Sequence, residues 1–298
     1  MIEKGIIVKG IAGFYYVDTE NGIIECKARG AFKNARLKPT VGDRVEIETG
    51  QDPSAGVVTK IMDRRNLFER PPVSNIEQFI VVSAMKEPEP NLIIVDKFLS
   101  SAEARGVDSV ICFTKRDLAS EEDEEKLRSI YSGVYPLLFL DLRQPEGVRE
   151  LLPYLKGKSS ALAGPSGVGK STILNALRGD SPEGQAAETG KVSSKTGRGR
   201  HTTRHVELFK MDFGGYVYDT PGFTSFDAPD VEEDELEEYF PDIARYIGQC
   251  RFKGCRHVNE PGCAVAAAVK AGEISRERLS SYIHQLNEIR ERNKRKYQ

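Results

Sequence analysis

Apolar positions fall into three successive patterns along the chain. In residues 1–68 they come as short runs, Ile6-Ile7-Val8, Phe14-Tyr15-Tyr16-Val17, Ile23-Ile24, Val45-Glu46-Ile47 and Val57-Val58, divided by turn formers. Runs of this length read as β-strands. Asn21-Gly22 lies between two of them, and both residues tolerate positive φ, which predicts a hairpin. About five strands in so short a segment predict a small closed barrel, OB-like, with an SH3-like barrel as the alternative.

Pro71-Pro72 stops regular structure and places a boundary nearby. From residue 69 to 226 the runs lengthen: Phe79–Val82, Val107–Phe113, Leu137–Leu140 and Ser160–Ala163 are near-continuous apolar stretches. Such stretches are the mark of buried parallel strands. Leu92 to Ala104 between them reads as a helix, so the segment predicts an α/β layer with a mainly parallel sheet. In residues 227–298 an acidic stretch (Glu232–Glu235) leads through a Cys/His cluster to a long helix. Leu279, Ile283, Leu286 and Ile289 form the apolar stripe of that helix. Its basic end (Arg290, Arg292, Lys294, Arg295, Lys296) fits either a complement to the helix dipole or an RNA contact.

Composition narrows the class without choosing a function. The 298 residues are 39% hydrophobic and 30% charged, enough apolar material for real cores. No apolar stretch reaches the roughly 18 residues of a membrane helix, and Met1-Ile2-Glu3-Lys4-Gly5 is no signal peptide; a cytoplasmic protein without a membrane partner is expected. The net charge of −2 neither demands nor excludes nucleic acid. Basic residues in the first segment (Lys27, Arg29, Lys33, Arg36, Lys38, Arg44) read singly as solvated surface and together as an OB groove for nucleic acid. Three of the five cysteines crowd beside a histidine, which argues for a metal rather than disulfides.

The sharpest chemistry is Gly164-Pro165-Ser166-Gly167-Val168-Gly169-Lys170-Ser171, a G-x-x-x-x-G-K-S loop between an apolar strand and a helix. Its glycines let backbone N–H groups cradle a β-phosphate, Thr172 continues the loop, Lys170 reaches the β- and γ-phosphates, and Ser171 offers a hydroxyl to Mg²⁺. Asp219-Thr220-Pro221-Gly222 follows the apolar run Tyr216–Tyr218. An aspartate there suits the Mg²⁺ shell, and the Gly222 N–H suits a γ-phosphate. Thr114-Lys115-Arg116-Asp117 is similar to the base-recognition motif N-K-x-D: Asp117 would accept guanine N1–H and NH₂, and the Lys115 stem would cover the base. Thr114 stands where Asn is usual, so weaker nucleotide binding by about 1 kcal/mol is expected, recovered in Thr114→Asn.

Order is the informative feature, because the base motif precedes the phosphate loop by about fifty residues. With these motifs in one site, the chain is a circularly permuted GTPase. It resembles the ribosome-assembly GTPases of the RsgA/YjeQ family over its whole length, through TKRD at 114–117, GPSGVGKS at 164–171, GRGRHTTR at 197–204, DTPGF at 219–223 and the Cys/His cluster. The resemblance implies an α/β P-loop GTPase domain at 69–226, flanked by an OB-like RNA-binding barrel at 1–68 and an α-helical zinc-binding lobe at 227–298. It implies a slow GTPase that binds the small ribosomal subunit and 16S rRNA late in maturation and is stimulated by the subunit. A monomer is the simplest expectation.

Thr203 or Thr202 is expected to ligate Mg²⁺ in the GTP state. Where many GTPases carry a water-positioning Gln, this chain has Phe223, so His201 or a ribosomal group must position water. Cys250, Cys255, His257 and Cys263 make a Cys₃His set, closed and therefore structural, for one zinc. Cys26 and Cys112 read as core residues. Because DTPG runs almost directly into the zinc lobe, a γ-phosphate-dependent reorientation of that lobe is expected. The competing readings are a small-molecule kinase or ATPase sharing only the phosphate loop, and an RNA-binding module with incidental hydrolysis.

Overall fold

A computed structural model describes the chain except residues 31, 33–37, 51–53, 145, 180–205, 220–222, 225 and 297–298. It divides into two compact units: Met1–Glu77 with Leu152–Leu162 and Ser171–Phe223, and Gln78–Leu151 with Ala163–Lys170 and Thr224–Gln298.

In the first unit β1 (Ile2–Ile11), β2 (Phe14–Thr19), β3 (Gly22–Ala28), β4 (Arg44–Thr49) and β5 (Ala55–Ile61) close into a barrel. β1 pairs antiparallel with both β2 and β4, β2 with β3, and β4 with β5, while β3 runs parallel to β5. This closed five-stranded circuit is OB-like and removes the SH3-like alternative. Side chains alternate across each strand, so Ile7, Val17, Ile24, Val45, Ile47 and Val58 fill the interior. Cys26 joins them, and burial pushes its thiol up to about 11, an inert core sulfur. The predicted hairpin is present, but Thr19 pairs with Gly22, so the loop is Glu20-Asn21. Of the predicted pair only Gly22 has positive φ, at 114°.

A satisfied buried carboxylate ties the barrel to the hairpin Leu67–Glu69/Pro72–Ser74. Asp43 is fully buried and receives Arg64 Nε (2.7 Å), an Arg64 terminal nitrogen (2.8 Å), Ser74 Oγ (2.6 Å) and the Thr40 N–H (2.7 Å). The same unit holds strand Tyr216–Asp219, parallel to Ser159–Ala163 and antiparallel to Glu207–Lys210. Glu207 lies opposite Lys9 of β1 and accepts its Nζ at 3.0 Å, which continues the strand layer into the barrel. Phe223 is fully buried, edge-on to Phe68 at 5.5 Å.

In the second unit strands Gln78–Ala84, Asp108–Thr114 and Leu137–Leu140 are mutually parallel. Every residue of Gln78–Ala84 is buried, as the apolar run Phe79–Val82 at its centre requires. Helices Leu92–Glu103 and Glu121–Tyr131 make the crossovers. Asn91 caps the first by accepting the Ile94 N–H, and Ser120 with Asp123 forms a capping box on the second. Cys112 is buried in the central strand, as expected.

The C-terminal segment of this unit packs around one apolar cluster. Leu236, Phe240, Ile243, Val265 and Ala268 meet Tyr282, Leu286 and Ile289 of the helix Arg276–Lys296. Leu279 and Ile283, also on the predicted stripe, are half-buried against it. The basic end of the helix is partly used internally: Arg290 pairs with Glu233 at 2.9 Å, and Arg292 donates to the carbonyls of Ala228 and Pro229. No described helix is long and apolar enough to cross a membrane.

Candidate nucleotide site and metal centre

Strand Ser159–Ala163 ends at the phosphate loop, and helix Lys170–Leu177 begins immediately after it. Gly164 has φ 142°, and a Cβ there would stand 2.0 Å from the Val82 carbonyl oxygen, so no other residue fits. Val168 is buried and anchors the loop. Lys170 folds back over the loop, donating Nζ to the carbonyls of Gly164 (2.7 Å) and Pro165 (2.5 Å). Burial lowers its pKa, a loss that an anionic ligand would offset. Ser171 and Thr172 are exposed on the first helical turn.

The base motif is tied to this loop. Thr114, the last residue of its strand, is fully buried, and its Oγ1 donates to the Val168 carbonyl at 2.6 Å. Two motifs 54 residues apart therefore share one side-chain hydrogen bond. Thr114 thus links the end of its strand to the phosphate loop. Lys115 turns the chain with φ 56° and donates Nζ to the Glu87 carbonyl. The turn Arg116–Leu118 then sets the Asp117 carboxylate, whose side chain is 7% exposed.

The sequence pattern assigns no role to the segment after strand Leu137–Leu140. After strand Leu137–Leu140 the chain turns through Asp141, Leu142 and Arg143, and Arg143 Nε reaches Asp117 Oδ2 at 3.1 Å. Leu142 packs toward the phosphate loop, its Cδ1 3.0 Å from where a Cβ of Gly169 would be. The available signal was topological: ligands of parallel sheets bind at the carboxyl ends of the strands.

Asp219 is exposed at the end of its strand in the first unit. His201, Thr202, Thr203 and Gly222 lie outside the described residues. Phe223, buried against Phe68, has no polar atom to offer a water.

Cys250, Cys255, His257 and Cys263 converge, their ligand atoms all within 4.8 Å of one another. His257 Nδ1 stands 3.6 Å from Cys250 Sγ, 3.6 Å from Cys255 Sγ and 3.3 Å from Cys263 Sγ. A tetrahedral zinc with bonds of about 2.0–2.3 Å places its ligands roughly 3.5–3.8 Å apart, so the set fits that ion and leaves no open position. Cys250 and Cys263 sulfurs also accept the N–H groups of Ala264 and Ala266. Outside the predicted set, Glu237 Oε2 lies 2.6 Å from His257 Nε2 and fixes the ring with Nδ1 toward the sulfurs.

An OB-like barrel, a phosphate loop locked to a base motif that precedes it, and a closed Cys₃His cluster define a circularly permuted P-loop GTPase. The family described as RsgA GTPase matches residues 61–229, and the RsgA N-terminal domain matches residues 4–58. The chain is 45% identical over 295 residues to the small ribosomal subunit biogenesis GTPase RsgA of Caldanaerobacter subterraneus subsp. tengcongensis, covering 99% of this chain and 98% of that one. The crystal structure of YjeQ from Thermotoga maritima is similar with TM-score 0.81 and 40% identity, covering 97% of this chain and 99% of that one. YloQ, described as a circularly permuted GTPase, is similar with TM-score 0.81 and 34% identity, covering 98% and 96%. The chain belongs to the RsgA family and is a GTP-hydrolysing enzyme.

Proposed function

We propose that this GTPase acts in biogenesis of the small ribosomal subunit, binding the subunit and its 16S rRNA and turning over GTP slowly until the subunit stimulates it. The observation that carries this reading is the length of the match. A relative named for small-subunit biogenesis resembles the chain over 99% of its residues, barrel and Cys/His lobe included, rather than over the GTPase segment alone.

In this reading the 164–169 backbone and Lys170 hold the phosphates, Asp117 and Lys115 hold guanine, and Thr114 joins the two halves. Mg²⁺, which neutralises charge on the transferring phosphoryl group, would be held by Ser171, Asp219 and Thr203 or Thr202. His201 positions the attacking water, the role that buried Phe223 cannot fill. Cys250, Cys255, His257 and Cys263 would hold one zinc ion, which would fix the fold of the lobe. Phe14, Tyr15, Lys27, Arg29 and Lys38 line a barrel cavity of ≈ 690 Å³, and its aromatic and basic lining suits single-stranded RNA. The protein works as a cytoplasmic monomer.

GTP turnover alone, with small subunits and with large subunits tests the reading. Stimulation by small subunits only is expected; no stimulation would detach the enzyme from that partner. Preference for guanine over adenine nucleotides separates it from a small-molecule kinase or ATPase. Thr114→Val should weaken GDP binding by about 1 kcal/mol, roughly fivefold in Kd, because the Val168 carbonyl loses its donor. Unchanged affinity by titration calorimetry would show that the Thr114–Val168 bond does not order the loop.

A further inference from the structure

The carboxylate assigned to guanine already has an occupant. Arg143 Nε stands 3.1 Å from Asp117 Oδ2; the Asp117 side chain is 7% exposed and that of Arg143 66%. An arginine guanidinium and the Watson–Crick edge of guanine are the same chemical fragment, a planar carbon bearing adjacent N–H donors matched to a carboxylate. Arg143 therefore offers Asp117, from within the chain, the kind of donor that the base edge would bring.

Asp141 keeps the arginine in place. Its Oδ1 accepts the Arg143 backbone N–H at 3.0 Å and Arg143 Nε at 3.3 Å, so the guanidinium is shared between two carboxylates. The turn is braced by the Gln144 N–H on the Asp141 carbonyl and the Gly147 N–H on the Gln144 carbonyl. A Cβ at Gly147 would fall 2.0 Å from the Asp141 carbonyl oxygen, so this turn accepts only glycine there.

We infer that Arg143 is an internal competitor of guanine: it satisfies Asp117 in the empty protein, yields it when the base arrives, and so sets the rate and affinity of nucleotide entry. The inference rests on the assignment of Asp117 to the base. Without Arg143 the empty site would leave a largely buried carboxylate unpaired, at a cost in free energy. With it, each binding event breaks one charge-assisted pair to form others, and the net gain is smaller than the new hydrogen bonds alone would give. Asp141 remains as the partner for the displaced arginine, which keeps the competitor next to the site.

Stopped-flow association and equilibrium titration of N-methylanthraniloyl-GDP on the full chain test this. Arg143→Ala is expected to bind about threefold faster and correspondingly tighter than wild type, the scale of one half-exposed ion pair. That advantage should shrink as salt is raised, because salt screens the exposed pair. A variant that binds no faster, or more weakly, overturns the inference; the arginine would then serve the bound base rather than compete with it. Asp117→Asn tests the underlying assignment separately, by a gain of xanthosine over guanosine nucleotides. Retained guanosine preference in Asp117→Asn would remove the assignment itself. A xanthosine switch there, with unaltered association in Arg143→Ala, would sink the competitor alone.

Discussion

An Arg278→Met protein is expected to lose about 3–5 kcal/mol of unfolding free energy, because the substitution strands two buried carboxylates. Arg278 is fully buried on the long C-terminal helix. One terminal nitrogen donates to Asp96 Oδ1 at 2.6 Å, the other to Asp242 Oδ1 at 2.6 Å, and Nε to Asp242 Oδ2 at 3.0 Å. The Phe240 ring lies 4.8 Å from the guanidinium carbon and adds cation–π attraction. Burial raises the Asp96 pKa even with Arg278 opposing it. Without the arginine that rise must grow, so the folded variant binds more protons than its unfolded chain. Stability then falls as pH rises through the folded pKa, and the deficit against wild type should be smaller in mild acid than at neutral pH. Urea unfolding at the two pH values measures it. Adding Asp96→Asn and Asp242→Asn to Arg278→Met should recover much of the loss, since no buried charge remains. A loss under about 1 kcal/mol in the single variant would mean that the triad is solvated in practice.

Removal of the zinc proposed for the Cys₃His set should have the other large effect. The Cys₃His set sits inside the apolar cluster of the C-terminal segment, with Cys255 and Cys263 buried beside Leu236, Phe240 and Tyr282. A structural zinc can contribute on the order of 10 kcal/mol to folding, as much as the net stability of a whole domain. Chelation should release one zinc per chain and lower the helical circular dichroism, with new binding of a hydrophobic dye. Cys263→Ser should behave in the same way, and Glu237→Gln should only weaken zinc binding, by about 10–100-fold, since it orients His257 without touching the metal. A metal-free protein that keeps its dichroism and melting temperature would reduce the site to an accessory.

These interactions also bear on motion. The DTPG turn runs close in sequence to the C-terminal lobe, the basis for expecting a γ-phosphate-dependent reorientation of that lobe. In the structure that lobe is fastened to helix Leu92–Glu103 by Arg278–Asp96, by Ser100 Oγ donating to Gln285 at 2.6 Å and by Lys97–Glu288 at 2.5 Å. Independent reorientation would break a buried charge pair and these bonds together.

Local patterning by itself determined the short strands of the barrel, the buried parallel strands, the Gly164–Ser171 loop between strand and helix, and the four residues of the Cys/His cluster. Each is written in contiguous residues or in spacings of a few positions, where backbone sterics, side-chain alternation and ligand chemistry act without distant partners. Tertiary structure alone decided what depends on the meeting of remote segments. The parallel β3–β5 pair closes the barrel as OB-like. Thr114 meets Val168 across 54 residues, and Arg278 meets Asp96 across 182. No local motif singles out Arg143 or Glu237 in the sequence. Sheet register and helix packing bring one onto Asp117 and the other onto His257. Neither register nor packing is encoded at any single position, because both result from burying many apolar side chains at once.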